Sequence, residues 1–264
     1  MTTKLSNERI AKQTVEYLDA GYYESVPGRK ISLPVDRGIQ TSELYKPGTS
    51  FSNPTPEDGP TTRIEVTQES TLDASNRLKV CYPFVLNFAS AKNPGGGFLT
   101  GANAQEESLA RSTTLYKILL AHPEYYVANR QCKDLLYTDH AIWAPNVSVF
   151  RDNVGLPLPT PYKVALLTLP APNAGQYLSR YGADPKALDA CIERRIDLLL
   201  GVAAHHGHTD LVLGAWGCGV FGNDAKVMAH AFKAALQRWH FERVVFGIYG
   251  GGETYETFKD VLTP

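Results

Sequence analysis

The sequence lacks the features that mark a membrane protein or a disulfide-stapled one. It has no run of 18 apolar residues, so we expect no membrane-spanning helix. Its first residues, MTTKLSNERIAKQ, have no apolar core and do not resemble a signal peptide. The 264 residues include four cysteines without CxxC spacing: Cys81, Cys132, Cys191 and Cys218. We interpret them as reduced thiols of a cytoplasmic protein, two or three of them buried.

An excess of charge of either sign is also missing. Lys and Arg total 26 and Asp and Glu total 27, which gives a formal net charge of −1. The chain therefore has no global basic field that would attract nucleic acid. We expect no intrinsic nucleic-acid patch, and any contact with a polyanion has to be local.

Several catalytic signatures are absent, among them GxSxG, HExxH and the kinase motifs. His205, His206 and His208 invite a metal-site interpretation, but no cysteine or carboxylate stands at partner spacing. Histidines at the end of a helix also interact favourably with its dipole, which is the simpler explanation. We expect neither a metal nor a cofactor.

What is present is an alternation of apolar runs and amphipathic segments. We predict strands at 64–68, 80–88, 141–150, 162–169, 210–216 and 244–249. We predict helices at 7–20, 70–77, 105–120, 185–205, 224–239 and 255–261. Residues 22–59 and 121–137 look irregular, apart from one possible strand at 30–34. This order favours one α/β domain over residues 1–264, with a mixed sheet between helices and with residues 1–60 as an N-terminal extension packed on it.

The stretch at 81–116 combines three elements in the order that a binding site needs. The strand is followed by Gly95, Gly96 and Gly97, and then by a helix that opens with Glu106 and Glu107. Glycines let backbone amides approach a ligand, and a helix N-terminus adds unpaired N–H groups. Adjacent carboxylates diverge by about 100° on a helix, but in the first turn both can reach a ligand over its N-terminus. Acidic residues there also simply suit the helix dipole.

A second glycine-rich loop, GAWGCGVFGN at 214–223, follows another predicted strand. Its backbone amides suit a diphosphate, whereas the absence of the P-loop lysine argues against an NTPase. A plain tight turn is the alternative. If both loops lie at the carboxyl edge of the sheet, they can clasp one ligand. Phe221 in this loop either stacks on a ribose or base or only covers the edge of the core.

The run LNFASAKNPGGGFLTGANAQEE resembles the bacterial-type poly(ADP-ribose) glycohydrolases, whose signature is GGG, seven residues, and QEE. The segments SLARSTTLY, YTDHAIWAPNVSVFRD, PAPN and GAWGCGVFGND are similar to the same branch. The resemblance covers most of the chain, from about residue 8 to 260. It implies a three-layer α/β/α macrodomain-like fold with ADP-ribose in a cleft at the edge of the sheet.

The resemblance also implies an activity and roles for individual residues. The protein would hydrolyse ribose–ribose O-glycosidic bonds in poly(ADP-ribose) and release ADP-ribose. Separately, we expect the chain to be a monomer. Glu107 would be the general acid and base, with its pKa raised by burial or by its neighbour, and Glu106 would bind ribose hydroxyls. The implied substrate-binding residues are Asn87, Asn93, Gly95, Gly96, Gly97, Gln105, Gly217, Cys218, Gly219, Val220 and Phe221. Two alternatives stay open: a hydrolase of mono-ADP-ribosyl groups on protein or nucleic acid, and a non-catalytic ADP-ribose-binding module.

Overall fold

The computed structural model describes residues 2–52, 61–180 and 182–263, with side chains from residue 6 onward. The strands are β1 Tyr22–Val26, β2 Arg29–Ser32, β3 Glu43–Tyr45, β4 Arg63–Thr67, β5 Phe84–Phe88, β6 Ala141–Arg151, β7 Pro157–Leu169, β8 Asp210–Leu213 and β9 Arg243–Gly247. The helices are α1 Thr2–Ala20, α2 Val35–Gln40, α3 Thr71–Arg77, α4 Gln105–Ser112, α5 Leu115–Leu120, α6 Pro123–Gln131, α7 Ala174–Leu178, α8 Pro185–His205, α9 Ala225–Leu236 and α10 Glu253–Leu262.

Seven of the strands form one mixed sheet in the order β3-β6-β7-β5-β8-β9-β4. The pairs from β7 to β4 are all parallel, whereas β3–β6 and β6–β7 are antiparallel. The prediction of a mixed sheet with helices on both faces is therefore confirmed. Because β4, β5, β7, β8 and β9 run the same way, their carboxyl ends meet at one edge of the sheet.

Alternation along β5 and β7 shows why two helical layers form. Leu86 and Leu167 point to one face of the sheet, into the core beneath α8, α9 and α10. Val85 and Leu166 point to the other face, into the core beneath α3, α5 and α6. Side chains alternate between faces with a period of two, so strands this apolar need cover on both sides.

Three predicted elements differ from those in the structure. Residues 79–81 form a 3₁₀ turn with Val80 exposed, and the strand starts only after Tyr82, which has a φ of 51°, and Pro83. The helix expected at 105–120 is broken, because Thr113 is extended and bridges to Val149 of β6. The segment 121–137, predicted as irregular, contains α6, with its proline in the first turn, where no amide hydrogen is needed.

The segment 22–59 holds more structure than the single predicted strand. The β1–β2 hairpin turns at Pro27–Gly28, with Gly28 at a φ of 82°, and α2 and β3 follow it. A Pro-Gly pair is typical of a type II turn, so the sequence contains a local indication of this hairpin. Residues 53–60 lie outside the described part of the chain.

The cysteine prediction holds in part. All four cysteines are free. Only Cys191 is buried, whereas Cys132 and Cys218 are half-buried and Cys81 is exposed, so the expected burial of two or three was wrong. Among the described residues, no helix is long and apolar enough to cross a membrane.

Candidate active site

A cleft opens at the carboxyl edge of the sheet, between the loops that follow β5, β7 and β8. Its deepest part is a cavity of about 340 Å³. Ten of the residues predicted from the sequence line it: Asn93, Gly96, Gly97, Gln105, Glu106, Glu107, Gly217, Gly219, Val220 and Phe221. The structure therefore brings both glycine loops and both glutamates to one cavity.

Three predicted ligand contacts lie outside the lining of this cavity. Asn87 is fully buried behind Glu106, to which its Nδ2 donates a hydrogen bond of 3.3 Å. Gly95 packs against Phe98, and Cys218 is turned away, with its thiol directed at the carbonyl of Trp216. The side chain of Asn87 therefore contacts Glu106 and does not line the cavity.

Other lining residues were not predicted: Phe88, Ala89, Ser90, Ala104, Ala171, Ala215 and Trp216. Most of them are small or apolar and carry no chemical signal in the sequence. Ser90 is the exception, because its backbone N–H donates a hydrogen bond of 2.7 Å to Glu106. Its position two residues after the end of β5 was the available clue.

Glu106 is the buried member of the carboxylate pair, only 3 % exposed. Its two oxygens accept hydrogen bonds from Asn87 Nδ2 and from the backbone of Ser90. Burial raises the pKa of Glu106 to about 8, against the opposing effect of these hydrogen bonds, and the charge of Glu107 adds to the rise. Burial therefore favours the protonated form of Glu106 at neutral pH.

Glu107 is half-buried and is held by backbone amides. Its Oε1 accepts a hydrogen bond of 2.9 Å from Gly97, and its Oε2 accepts one of 3.2 Å from Ala104. The second contact is the carboxylate half of a capping box at the start of α4. Both oxygens are thus positioned at the wall of the cavity by main-chain groups that cannot rotate away.

Gly96 explains why a glycine stands opposite the two carboxylates. Its φ is +61°, and a Cβ built there would lie 2.3 Å from Glu107 Oε1 and 3.2 Å from Glu106 Oε2. A side chain at this position would push the carboxylates apart or into the cavity. The glycine run therefore fixes the position of both carboxyl groups.

Gln105, the first residue of the QEE run, fastens α4 to β5. Its Oε1 accepts a hydrogen bond of 2.9 Å from the amide of Phe88, and its Nε2 donates one of 2.7 Å to the carbonyl of Leu86. These bonds join the start of α4 to the end of β5. They place the next two residues, the glutamates, over the end of β5.

The second glycine loop faces the glutamates with backbone groups. Within the described chain, no partner is seen for the amide hydrogens of Gly219, Val220 and Phe221. Consecutive free amides form a concave site that suits a phosphate. Asn223 braces the loop, because its Nδ2 donates to the carbonyls of Pro172 at 2.9 Å and of Gly217 at 3.0 Å.

A neighbouring cavity of about 310 Å³ shares four lining residues with the first: Phe88, Ala104, Gln105 and Ala215. The two cavities form one cleft that runs from the glutamates towards the ends of β4 and β9. Ser70 and Tyr249 line its far part. The two cavities therefore lie side by side at this edge of the sheet.

The histidines at 205–208 pack against aromatic side chains. The ring of His206 stacks on Trp143 with centroids 4.5 Å apart, and its Nε2 lies 2.8 Å from the hydroxyl of Tyr45. Burial lowers the pKa of His208 to about 4. No group of three His, Cys, Asp or Glu side chains suited to a metal ion is found among the described residues.

Comparison with known proteins assigns the chain to a family. Residues 11–152 match the family described as microbial-type PARG, catalytic domain. No curated protein sequence matches the chain. The crystal structure of poly(ADP-ribose) glycohydrolase from Thermomonospora curvata is similar, with 40% identity over 97% of this chain and 99% of that one and a TM-score of 0.86.

Two ligand complexes are also similar. The Thermomonospora curvata enzyme bound to the inhibitor ADP-HPD shares 39% identity over 97% of this chain and 98% of that one, with a TM-score of 0.86. The Deinococcus radiodurans enzyme in complex with ADP-ribose shares 37% identity over 88% of this chain and 98% of that one, with a TM-score of 0.77. The predicted resemblance and macrodomain-like fold are thus confirmed, and the chain belongs to the microbial-type poly(ADP-ribose) glycohydrolase family.

Proposed function

We propose that this protein hydrolyses ribose–ribose O-glycosidic bonds in poly(ADP-ribose) and releases ADP-ribose, with Glu107 as general acid and base. The observation that carries the proposal is the pair of carboxyl groups on the first turn of α4, packed against Gly96 at the wall of the cleft. A binding module has no evident use for a second carboxyl group there. Family membership supports the glycosidase activity.

The proposed reaction breaks the bond between the anomeric carbon of the distal ribose and the 2′-oxygen of the next ADP-ribose unit. Glu107 gives its proton to that 2′-oxygen, which leaves as a hydroxyl, while the ribose develops oxocarbenium character. Water then adds its oxygen to the anomeric carbon, and its proton returns to Glu107. The backbone contacts from Gly97 and Ala104 keep the carboxyl group in place through both steps.

Glu106 is proposed to bind the hydroxyls of the distal ribose. Because its carboxyl group is protonated at neutral pH, it can donate one hydrogen bond and accept others. Asn87 is then a positioning residue that fixes Glu106 from behind.

The shape of the cleft supports ADP-ribose as the bound unit. The free amides of 219–221 suit the diphosphate, and Phe221 lies where it can pack on the distal ribose. The second cavity, with Tyr249 at its lip, is proposed to take the adenosine end. The Deinococcus radiodurans relative was crystallised with ADP-ribose, which agrees with this ligand.

The working unit is proposed to be one cytoplasmic chain. All four cysteines are free, which suits a reducing compartment. The N-terminal segment is proposed to be part of the same domain. Thr14 of α1 donates a hydrogen bond to the carbonyl of Arg111 in α4, whose guanidinium in turn donates to the carbonyl of Ala102 in the loop before the helix.

The test is incubation of the protein with purified poly(ADP-ribose) and, separately, with a mono-ADP-ribosylated protein. We expect release of free ADP-ribose from the polymer. Release from the mono-modified protein alone would instead identify a mono-ADP-ribosyl hydrolase. Binding of ADP-ribose without release from either substrate would identify a binding module.

A further inference from the structure

A group of basic side chains lies on the loop after β5, in the last turn of α6 and just after it, and just after α7. We call Lys92, Arg130, Lys133 and Arg180 the basic rim; all four are exposed. Arg130 Nε donates a hydrogen bond of 2.9 Å to the carbonyl of Lys92, and Arg180 donates one of 2.9 Å to the carbonyl of Lys133. The four residues are therefore tied together in two pairs.

Tyr137 connects the basic rim to the cavity. Its ring centroid lies 6.0 Å from that of Phe221, which lines the cavity, and Lys92 Nζ lies 6.0 Å above the Tyr137 ring. Asn93, the neighbour of Lys92, also lines the cavity. Lys92 thus links the rim to the end of the cleft that holds the glutamates and Phe221, away from the proposed adenosine end.

Tyr137 is held in an unfavourable backbone conformation. Its φ is 62°, in the left-handed region, which costs a bulky residue on the order of 1 kcal/mol. Among the described residues, Tyr82 is the other non-glycine with a positive φ. This backbone conformation holds the Tyr137 ring beside the mouth of the cleft, where a base can stack on it.

The charges of the basic rim are not neutralised by the protein. Among the described residues, no carboxylate lies within ion-pair distance of these four side chains, and the donors of Arg130 and Arg180 meet neutral carbonyls. Asp134 is the acidic residue next in sequence, and its carboxylate accepts hydrogen bonds from Cys132 Sγ and the amide of Leu136. In a chain of net charge −1, four cations without an ion-pair partner among the described residues form a local positive surface.

We propose that the basic rim and Tyr137 bind the ADP-ribose unit on the leaving side of the scissile bond, with the cations on its diphosphate and Tyr137 on its adenine. This inference rests on the proposed polymer hydrolysis. A unit joined through its 2′-oxygen to the distal ribose emerges from the glutamate end of the cleft, beside Tyr137. Each such unit carries two phosphate charges, which the cations of the rim can bind. The rim would therefore make the enzyme prefer polymer over single ADP-ribosyl groups.

The test compares two substrates in one double variant, Lys92→Gln/Lys133→Gln, whose amines make no hydrogen bond that supports the described fold. One substrate is poly(ADP-ribose), and the other is ADP-ribose joined at its distal anomeric carbon to a phenol dye, which has no leaving-side phosphates. We expect kcat/KM for polymer to fall about fivefold at low salt. We expect kcat/KM for the dye conjugate to stay unchanged.

The matched control is Lys79→Gln/Lys163→Gln, which removes two exposed lysines outside the rim and the cleft and should change neither substrate. Added salt should reduce polymer turnover more in the wild type than in the rim variant, because the variant has fewer phosphate contacts to lose. Equal effects on both substrates, or no effect on polymer, would contradict the proposed role of the rim but not the proposed hydrolase activity. A wild-type protein that releases nothing from polymer would overturn both proposals, whatever the rim variants do.

Discussion

The two glycine loops form opposite walls of one cleft by different means. The first, with Gly95–Gly97 and the start of α4, presents two carboxyl groups whose every oxygen is tied to a backbone or amide donor. The second, at 214–222, presents free amides and exposed side chains, with Val220 96 % exposed. Chemistry needs groups held to a fraction of an ångström, whereas a diphosphate needs only a concave row of donors. We therefore expect changes at Glu107 and Gly96 in the first wall to affect turnover, and changes in the second wall to affect affinity.

The largest expected effect is that of Glu107→Gln. The amide keeps the size of the side chain but can neither give nor take the catalytic proton, so we expect ADP-ribose release from polymer to fall about 10³-fold. Release is measured by chromatography of the reaction products. Turnover near the wild-type level would remove Glu107 from its proposed role.

A change at Gly96 separates backbone strain from displacement of the carboxylates. Gly96→Ala places a Cβ against Glu107 Oε1, and a misplacement of about 1 Å can cost about 10²-fold in kcat. Gly28→Ala is the matched control, since Gly28 has a φ of +82° but nothing within 4 Å of a built Cβ. The control should lose about 1 kcal/mol of stability and no activity. If both variants lose activity equally, the contact with the carboxylates is irrelevant.

A change in the second wall should act on affinity. Phe221→Ala removes a ring from the lining, and we expect KM for polymer to rise about tenfold with kcat nearly unchanged, because a stacking contact contributes about 1–3 kcal/mol. Val154→Ala, an exposed apolar residue elsewhere, is the control and should change nothing. A fall in kcat at constant KM would contradict the division between the walls.

The pH dependence of stability tests the burial of Glu106. Its pKa is about 8 in the folded protein, against 4.5 as the reference for the unfolded chain. Between these values the folded state holds a proton that the unfolded state has released, so the free energy of unfolding falls as pH rises through this window. The loss is at most about 5 kcal/mol. Denaturant unfolding from pH 4 to 9 measures it, and Glu106→Gln should lack this contribution; identical profiles would contradict the burial.

How far the sequence predicts this molecule depends on whether the deciding contacts are local. The predicted bounds of α8 agree with the structure. Its start is marked by the capping residue Asp184 and the first-turn residue Pro185, which act within a few residues. The break after Ser112 depends on a bridge from Thr113 to Val149, 36 positions later, which no local pattern reveals. Long-range pairing therefore limited how accurately the helix bounds could be predicted from the sequence.

The site shows the same division. The glycine spacing and QEE run identified the cavity wall, but not which glutamate would be buried. Burial raises the pKa of Glu106, whereas the hydrogen bonds from Asn87 and Ser90, on β5 and the loop that follows it, oppose the rise. The direction of the Asn87 side chain could be predicted from the sequence. Asn87 follows Leu86 and therefore shares the face of Val85, which is turned to the helical layer that holds α4.

The central claim is that two adjacent glutamates divide their work, Glu107 on the proton and Glu106 on the ribose. Calorimetric binding of ADP-ribose to Glu107→Gln and Glu106→Gln tests it most directly. We expect Glu107→Gln to bind within about threefold of the wild type and Glu106→Gln about tenfold more weakly. A glutamine amide nitrogen cannot accept from Asn87 or Ser90, which leaves one donor unpaired. The reverse order of affinities would contradict the account.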